Sequence, residues 1–372
     1  MKVCGLIVEY NPLHNGHLYH LQKARQLTDA EIVIAVMSGN FVQRGEFAIV
    51  DKWIRAQAAI EAGVDIVLEL PFVFTVQSAT QFGKNAIDIL ARAECDYVVF
   101  GSETNNLEEL KDIAAMSFNI DNFKETMKKG YSYPATYGFF ADSYGPNDIL
   151  AISYLRALQN YPEIEPISIL RTSNYHNDEL NENLPSAKAI RKALRENKDV
   201  ASYTPMKNLD NYPSPCWDEY YGYIRNILLT TPKKQLQEIF LMDEGIENHL
   251  YKCAYKCYNF DQFINSAVTR RYTRSRIQRT LCHLLVHNTK KEMKEIVEYD
   301  TLRPLAFSQK GQEYLKLLQK KEVKIANHFT ANIKQYRDVE FKAAIAYSIN
   351  MNEDMKKYLT RSEISGLNYK KE

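Results

Sequence analysis

The first two dozen residues constrain this chain most. An apolar run, Val3 to Val8, leads into Tyr10-Asn11-Pro12-Leu13-His14-Asn15-Gly16-His17. After it Leu18, Leu21, Ala24 and Leu27 recur at helical spacing. The pattern is a buried strand, a tight loop and a helix, with two histidines and a glycine where the helix begins. A helix N-terminus offers unpaired N–H groups and the positive end of its dipole, which suit a phosphate. Gly16 lets backbone come close to a ligand. Histidines three residues apart share a helix face and can both donate to one anion. The residues therefore read as a nucleoside triphosphate site at the first strand–helix junction. The alternative is a pair of histidines that only cap a helix.

From Met1 to about Leu194 strand and helix patterns alternate. Strands are predicted at 3–8, 31–37, 64–70, 97–100 and 167–170, and helices at 16–28, 51–62, 80–93, 107–128, 147–159 and 186–197. Such alternation implies a parallel sheet covered on both faces, with ligands at the carboxyl ends of the strands. That rule selects a few loops. Ser38 to Glu46 is polar and holds two glycines, which predicts a loop that closes over a substrate or is simply solvated. Gly101 ends a strand and either admits a base or ribose or makes a turn. Asn147 either caps a helix or reads a polar edge of a nucleotide. Arg171 follows the fifth strand, where a guanidinium clamps phosphates. Ser186 is a natural N-cap, with Lys188 and Arg191 three residues apart behind it.

A chain of 372 residues suggests two domains. The fold class expected is α/β: a Rossmann-like domain over 1–200, a connector over 201–217 with three prolines, and an all-α domain over 218–372. With 45% hydrophobic and 25% charged residues the composition is that of an ordinary globular protein, and a net charge of +1 neither favours nor excludes nucleic acid. No apolar run is long enough for a bilayer, and no signal peptide is evident. The six scattered cysteines fit reduced thiols in a cytoplasm, and no zinc pattern is complete. In the helical half, Thr269 to Arg279 is rich in arginine. Ile277, Leu281, Leu284 and Leu285 form its buried stripe, with Arg270 and Arg274 on the same side. These two are expected to line a cleft holding RNA or ATP phosphates, or to meet internal carboxylates. Arg271, Arg276 and Arg279 are expected to be solvated.

His14-Asn15-Gly16-His17 resembles the HxGH signature of the nucleotidyltransferase superfamily, and the Ser186 helix start resembles its second motif, with Ala187 in place of a second hydroxyl residue. A closer resemblance rests on the segments 37–45, Leu68-Glu69-Leu70-Pro71, Phe100-Gly101-Ser102-Glu103, Arg171 with Tyr175-His176, Arg271-Tyr272-Thr273-Arg274 and 301–307. Together they are similar to the bacterial tRNA(Met) cytidine acetate ligase family, with Phe47 where a proline is expected. The resemblance implies an ATP-dependent ligase that makes acetyl-adenylate and acetylates N4 of the wobble cytidine of elongator tRNA(Met). It implies Mg²⁺ on the phosphates, and neither a membrane nor a protein partner. By the same resemblance His14, His17, Lys188 and Arg191 are catalytic. ATP is expected to meet Ile7, Val8, Glu9, Tyr10, Asn11, Pro12, Leu13, Asn15, Gly16, Leu18, Tyr19 and His20 along with the histidine pair. Gly101, Asn147, Arg171, Thr172 and Ser186 complete that set. Arg270, Arg271, Arg274 and Arg276 are expected to bind tRNA. A small-molecule nucleotidyltransferase and a non-catalytic RNA-binding protein are the other two classes the sequence allows.

Overall fold

The computed structural model describes residues 1–116, 144–171 and 185–365. A six-stranded sheet runs in the order β7-β6-β1-β2-β5-β9. Its parallel strands are β1 (Val3–Val8), β2 (Ile32–Ser38), β5 (Ile66–Leu70), β6 (Tyr97–Ser102) and β7 (Glu165–Leu170). β1 pairs with β2 in register from Val3↔Ile32 to Val8↔Met37, so the first two loops open at the same edge. Side chains alternate between the faces. Ile32, Ile34, Val36, Ile66 and Leu68 enter a core beneath helices Ala79–Arg92 and Pro146–Leu158. Cys4, Leu6, Val33, Ala35 and Val67 enter a second core beneath Asn15–Thr28, Lys52–Glu61 and Ala187–Arg195. Nearly continuous apolar strands are what a sheet covered on both faces requires.

The C-terminal half is helical, as its sequence pattern predicts, and it also feeds the sheet. β9 (Pro304–Phe307) lies antiparallel against β5, and β8 (Thr301–Leu302) pairs with β10 (Lys324–Ile325). Gly311 sits where a Cβ would stand 2.0 Å from the Asp65 carbonyl, so the helix Gln309–Lys320 touches the sheet directly. Beneath this seam five charged side chains are buried together. Lys52 is paired with Glu69 and Glu363 and lies 3.4 Å from Glu340; Arg303 reaches Glu69 at 2.6 Å and Glu363 at 2.9 Å. Among the described residues no helix is long and apolar enough to cross a membrane. The predicted helix 107–128 is described as Leu107–Ala115. Its remainder, with Thr172, Ser173, Tyr175 and His176, lies outside the described residues.

Candidate active site

The histidine motif is held by its own rings. His14 is the N-cap of Asn15–Thr28, and its Nδ1 accepts the Gly16 N–H at 3.1 Å. The His17 Nδ1 accepts the His14 N–H at 3.2 Å, closing a reciprocal capping box. A Cβ on residue 16 would lie 2.8 Å from His14 Cε1, so the glycine makes room for the ring over the backbone. With both Nδ1 atoms accepting, each neutral ring carries its proton on Nε2. The rings are 3.8 Å apart, and Tyr10 packs edge-on against His17 at 4.9 Å. Burial, with Arg171 and Arg191 nearby, lowers the His14 pKa to about 3. Burial and then the neighbouring His14 hold His17 well below the usual histidine value. Burial takes His20 down to about 4. Capping and anion binding are thus not alternatives: Nδ1 caps the helix and the Nε2–H remains a donor.

Several elements clamp this loop. The Asn15 N–H donates to the Tyr203 carbonyl at 2.9 Å, the Asn15 side chain to Ser202 at 2.9 Å, and Thr204 Oγ1 to the Leu13 carbonyl at 2.6 Å. The 201–217 connector therefore braces the site as well as spanning it. Asn11 Oδ1 accepts the Ile49 N–H, and the Asn11 carbonyl accepts from Arg191 Nη1 at 2.8 Å. Val8, Tyr10, Pro12 and Leu13 are buried as the wall behind the motif, whereas Ile7, Glu9, Leu18, Tyr19 and His20 are half-buried. Glu9 accepts the Gln43 N–H at 2.9 Å, and burial raises its pKa. Fully buried Arg55 was missed by the sequence reading. It donates to the carbonyls of Glu9, Ser38, Gly39 and Val50, tying two strand ends together. Its signal was a cation at a core position: Lys52, Arg55, Ala56 and Ala59 are the buried stripe of that helix.

The other predicted loops converge on the same edge. A Cβ on Gly101 would stand 3.2 Å from Arg171 Cγ, so the arginine stem lies across this strand end. Asn147 does not cap its helix: the N-cap of Pro146–Leu158 is Gly145, and Asn147 is the second helical residue. Its backbone N–H and Nδ2 both donate to the Glu103 carboxylate, which also accepts the Asp148 N–H at 2.8 Å. Ser186 caps Ala187–Arg195, accepting the Ala189 N–H at 3.1 Å. Lys188 and Arg191 differ: Lys188 is exposed, whereas Arg191 is half-buried against Asn11 and 3.5 Å from Glu46.

Two expectations are corrected. Ser38 to Glu46 is packed rather than solvated. Asn40, Phe41, Val42 and Gln43 are buried, and Phe41–Val42 pairs with Glu46–Phe47 as a small hairpin (β3 and β4). Phe47 anchors it against Trp217 and Tyr220 at 4.9 and 4.1 Å. The arginine register also differs from the expectation at Arg270, Arg274 and Arg279, whereas Arg271 is exposed as expected. The helix is Arg274–Val286, capped by Thr273, so Arg270 precedes it and no helical phase reaches that residue. Arg270 and Arg274 are exposed. Arg279, expected in solvent, is buried. Arg271 and Arg276 lie 3.4 and 3.0 Å from Glu244.

Comparison with known proteins agrees with this geometry. A family model described as HIGH Nucleotidyl Transferase matches residues 1–362. A tRNA(Met) cytidine acetate ligase of Anoxybacillus flavithermus is 37% identical, with 86% of this chain and 87% of that protein covered. The chain belongs to the tRNA(Met) cytidine acetate ligase family of HIGH nucleotidyl transferases. The family member of Bacillus subtilis is 32% identical over 96% of this chain and 94% of its own. Crystal structures of Thermotoga maritima TmcAL, one bound with alpha-thio ATP and one apo, match with TM-scores of 0.84 and 0.85 at 30% identity. The first covers 96% of both chains, so the sheet, the histidine junction and the helical half are one family architecture.

Proposed function

We propose that this chain activates acetate with ATP to acetyl-adenylate, releasing pyrophosphate, and then acetylates N4 of the wobble cytidine of elongator tRNA(Met). The observation that carries the reading is the histidine pair. Two neutral imidazoles have Nδ1 committed to backbone N–H groups and Nε2–H left to donate, at a helix N-terminus beside Arg171 and Arg191. An acetate oxygen attacks the α-phosphorus in line and pyrophosphate leaves. Charge grows on phosphoryl oxygens, so preorganised donors matter more than a base. His14, His17 and the first-turn N–H groups supply them. Arg171, Lys188 and Arg191 offset the charge of the departing pyrophosphate. Arg191 also holds the Asn11 carbonyl, so it shapes the loop as well as the field. The cytidine N4 then attacks the acetyl carbonyl, AMP leaves with the electron pair of the broken acyl–oxygen bond, and N4 gives up one proton to solvent.

Among the described residues no group of three or more His, Cys, Asp or Glu side chains is placed to hold a metal. A Mg²⁺ would be carried mainly by phosphate oxygens and water, as this ion commonly is. Residues 1–200 would hold ATP and the helical half would hold tRNA through Arg270, Arg271, Arg274 and Arg276, two of which must be released from Glu244. A tRNA substrate puts the activity in the cytoplasm. The test is incubation with labelled acetate, ATP and tRNA(Met) transcript, followed by nuclease digestion and mass analysis. Labelled N4-acetylcytidine at the wobble position is expected. Unmodified RNA, with ATP consumed on another small acceptor, would overturn the reading.

A further inference from the structure

Helix Ile246–Lys256 carries a face that the interior of the protein does not use. Its exposed positions are Lys252, Tyr255 and Lys256, two cations and an aromatic ring with no carboxylate among them. Just beyond its end stands Tyr258. Tyr255 and Tyr258 are 67% and 76% exposed, the two most exposed aromatic rings among the described residues. Scattered exposed apolar residues are common on protein surfaces, but here two open rings stand together beside cations at one helix end. The Tyr258 ring is also prepared. The Arg225 guanidinium lies 4.6 Å from its centroid, fixed by Nε donating to the carbonyls of Ala254 and Cys257 at 3.0 and 3.2 Å. An immobilised cation thus backs one side of a ring that solvent otherwise surrounds.

The opposite end of the same helix meets the arginine turn. His249 packs on Tyr272 at 5.5 Å, and the Tyr272 hydroxyl donates to the Glu244 carbonyl at 2.9 Å. His249, Lys252 and Lys256 follow one another at helical spacing, so the strip runs along one face for about 10 Å. Cations beside open tyrosine rings are the surface that unpaired nucleotides recognise, phosphates on the charges and bases on the rings. The exposed acids flanking the helix are Asp243 and Glu244, paired with Lys290 and with Arg271 and Arg276, and Asp261 at the start of the next helix.

We infer that Lys252, Tyr255, Lys256 and Tyr258 form a stacking platform for unpaired nucleotides of the RNA substrate, continuous with the arginine turn. The inference rests on the tRNA reading above. The test compares wild-type protein with the double variants Y255A/Y258A and Y255F/Y258F and with K252Q/K256Q. Their affinity for tRNA(Met) transcript is measured across a salt series, with acetate-dependent pyrophosphate exchange measured without tRNA. The alanine pair should weaken tRNA binding at least about fivefold while the phenylalanine pair retains it, as stacking requires. The glutamine pair should flatten the salt dependence. Exchange should be unchanged in all of them. Wild-type affinity in Y255A/Y258A would overturn the platform, as would a change only in self-association by sedimentation, which would mean that the face meets a second copy. Failure of the wild-type protein to bind tRNA would instead overturn the tRNA reading, and the platform with it.

Discussion

At the residue scale the site is a question of which nitrogen holds the proton. HxGH was legible because spacing alone puts two imidazoles on one helix turn. The tautomer was not legible, because it depends on Nδ1 meeting particular backbone N–H groups. Arg55, Thr204 and Tyr203 were missed for a related reason: they act on main-chain carbonyls and N–H groups, which no motif encodes. His17→Ala should cut pyrophosphate exchange by about 100-fold or more while tRNA binding, followed by filter retention, survives. Exchange within a few-fold of wild type would remove His17 from the reaction. The histidines also set an acid limit. Their folded pKa values lie below the unfolded value of about 6.5, so the stability they support is complete above that pH. It is lost as pH falls toward about 3 to 4, and melting temperatures followed downward from pH 6.5 should decline accordingly.

At the element scale the strands and their flanking helices followed from pattern, since buried parallel strands are apolar runs and the caps Asp51, Ser186 and Gly63 stand where chemistry demands them. The arginine helix did not. A helical phase running back through Arg270 fails because the Thr273 cap stops the helix first, leaving Arg270 and Arg274 exposed and Arg279 buried. The hairpin of the second loop packs directly against this helix. Gly45 has φ +75, and a Cβ there would lie 2.3 Å from the Arg279 backbone nitrogen. Gly45→Ala combines a left-handed backbone with that clash and should destabilise the fold by about 2 kcal/mol or more in denaturant titrations. A change below about 0.5 kcal/mol, the scale of a neutral surface substitution, would mean that the contact gives way. Arg274→Ala, at the exposed end, should weaken tRNA acetylation with much less effect on exchange. Equal loss of both would end the assignment of RNA to this turn.

At the scale of the whole molecule the two halves are joined by the buried charges of Lys52, Arg303, Glu69, Glu340 and Glu363. Three carboxylates face two cations, so one proton restores neutrality. Burial and then the charge of Glu69 raise the Glu340 pKa to about 8. The 3.4 Å approach of Lys52 would by itself favour the ionised form, but Glu340 can donate its proton to Glu69. A carboxyl with a raised folded pKa supports stability below its unfolded value of 4.5 and loses that support as pH rises through about 8. Glu340→Gln should therefore match wild type near pH 5 and melt at a higher temperature than wild type above pH 8. The reverse order would show that Glu340 is ionised in the fold. None of this was legible in sequence, because partners such as Lys52 and Glu340 lie 288 positions apart. The apolar 301–307 segment was noticed only as a resemblance, whereas it supplies the antiparallel edge of the sheet. The central claim is that the histidine junction adenylates acetate. Its most direct test is pyrophosphate exchange into ATP with acetate present and absent, first without and then with tRNA(Met). Exchange that requires acetate is the predicted result. Exchange indifferent to acetate, or none even with tRNA present, would contradict it.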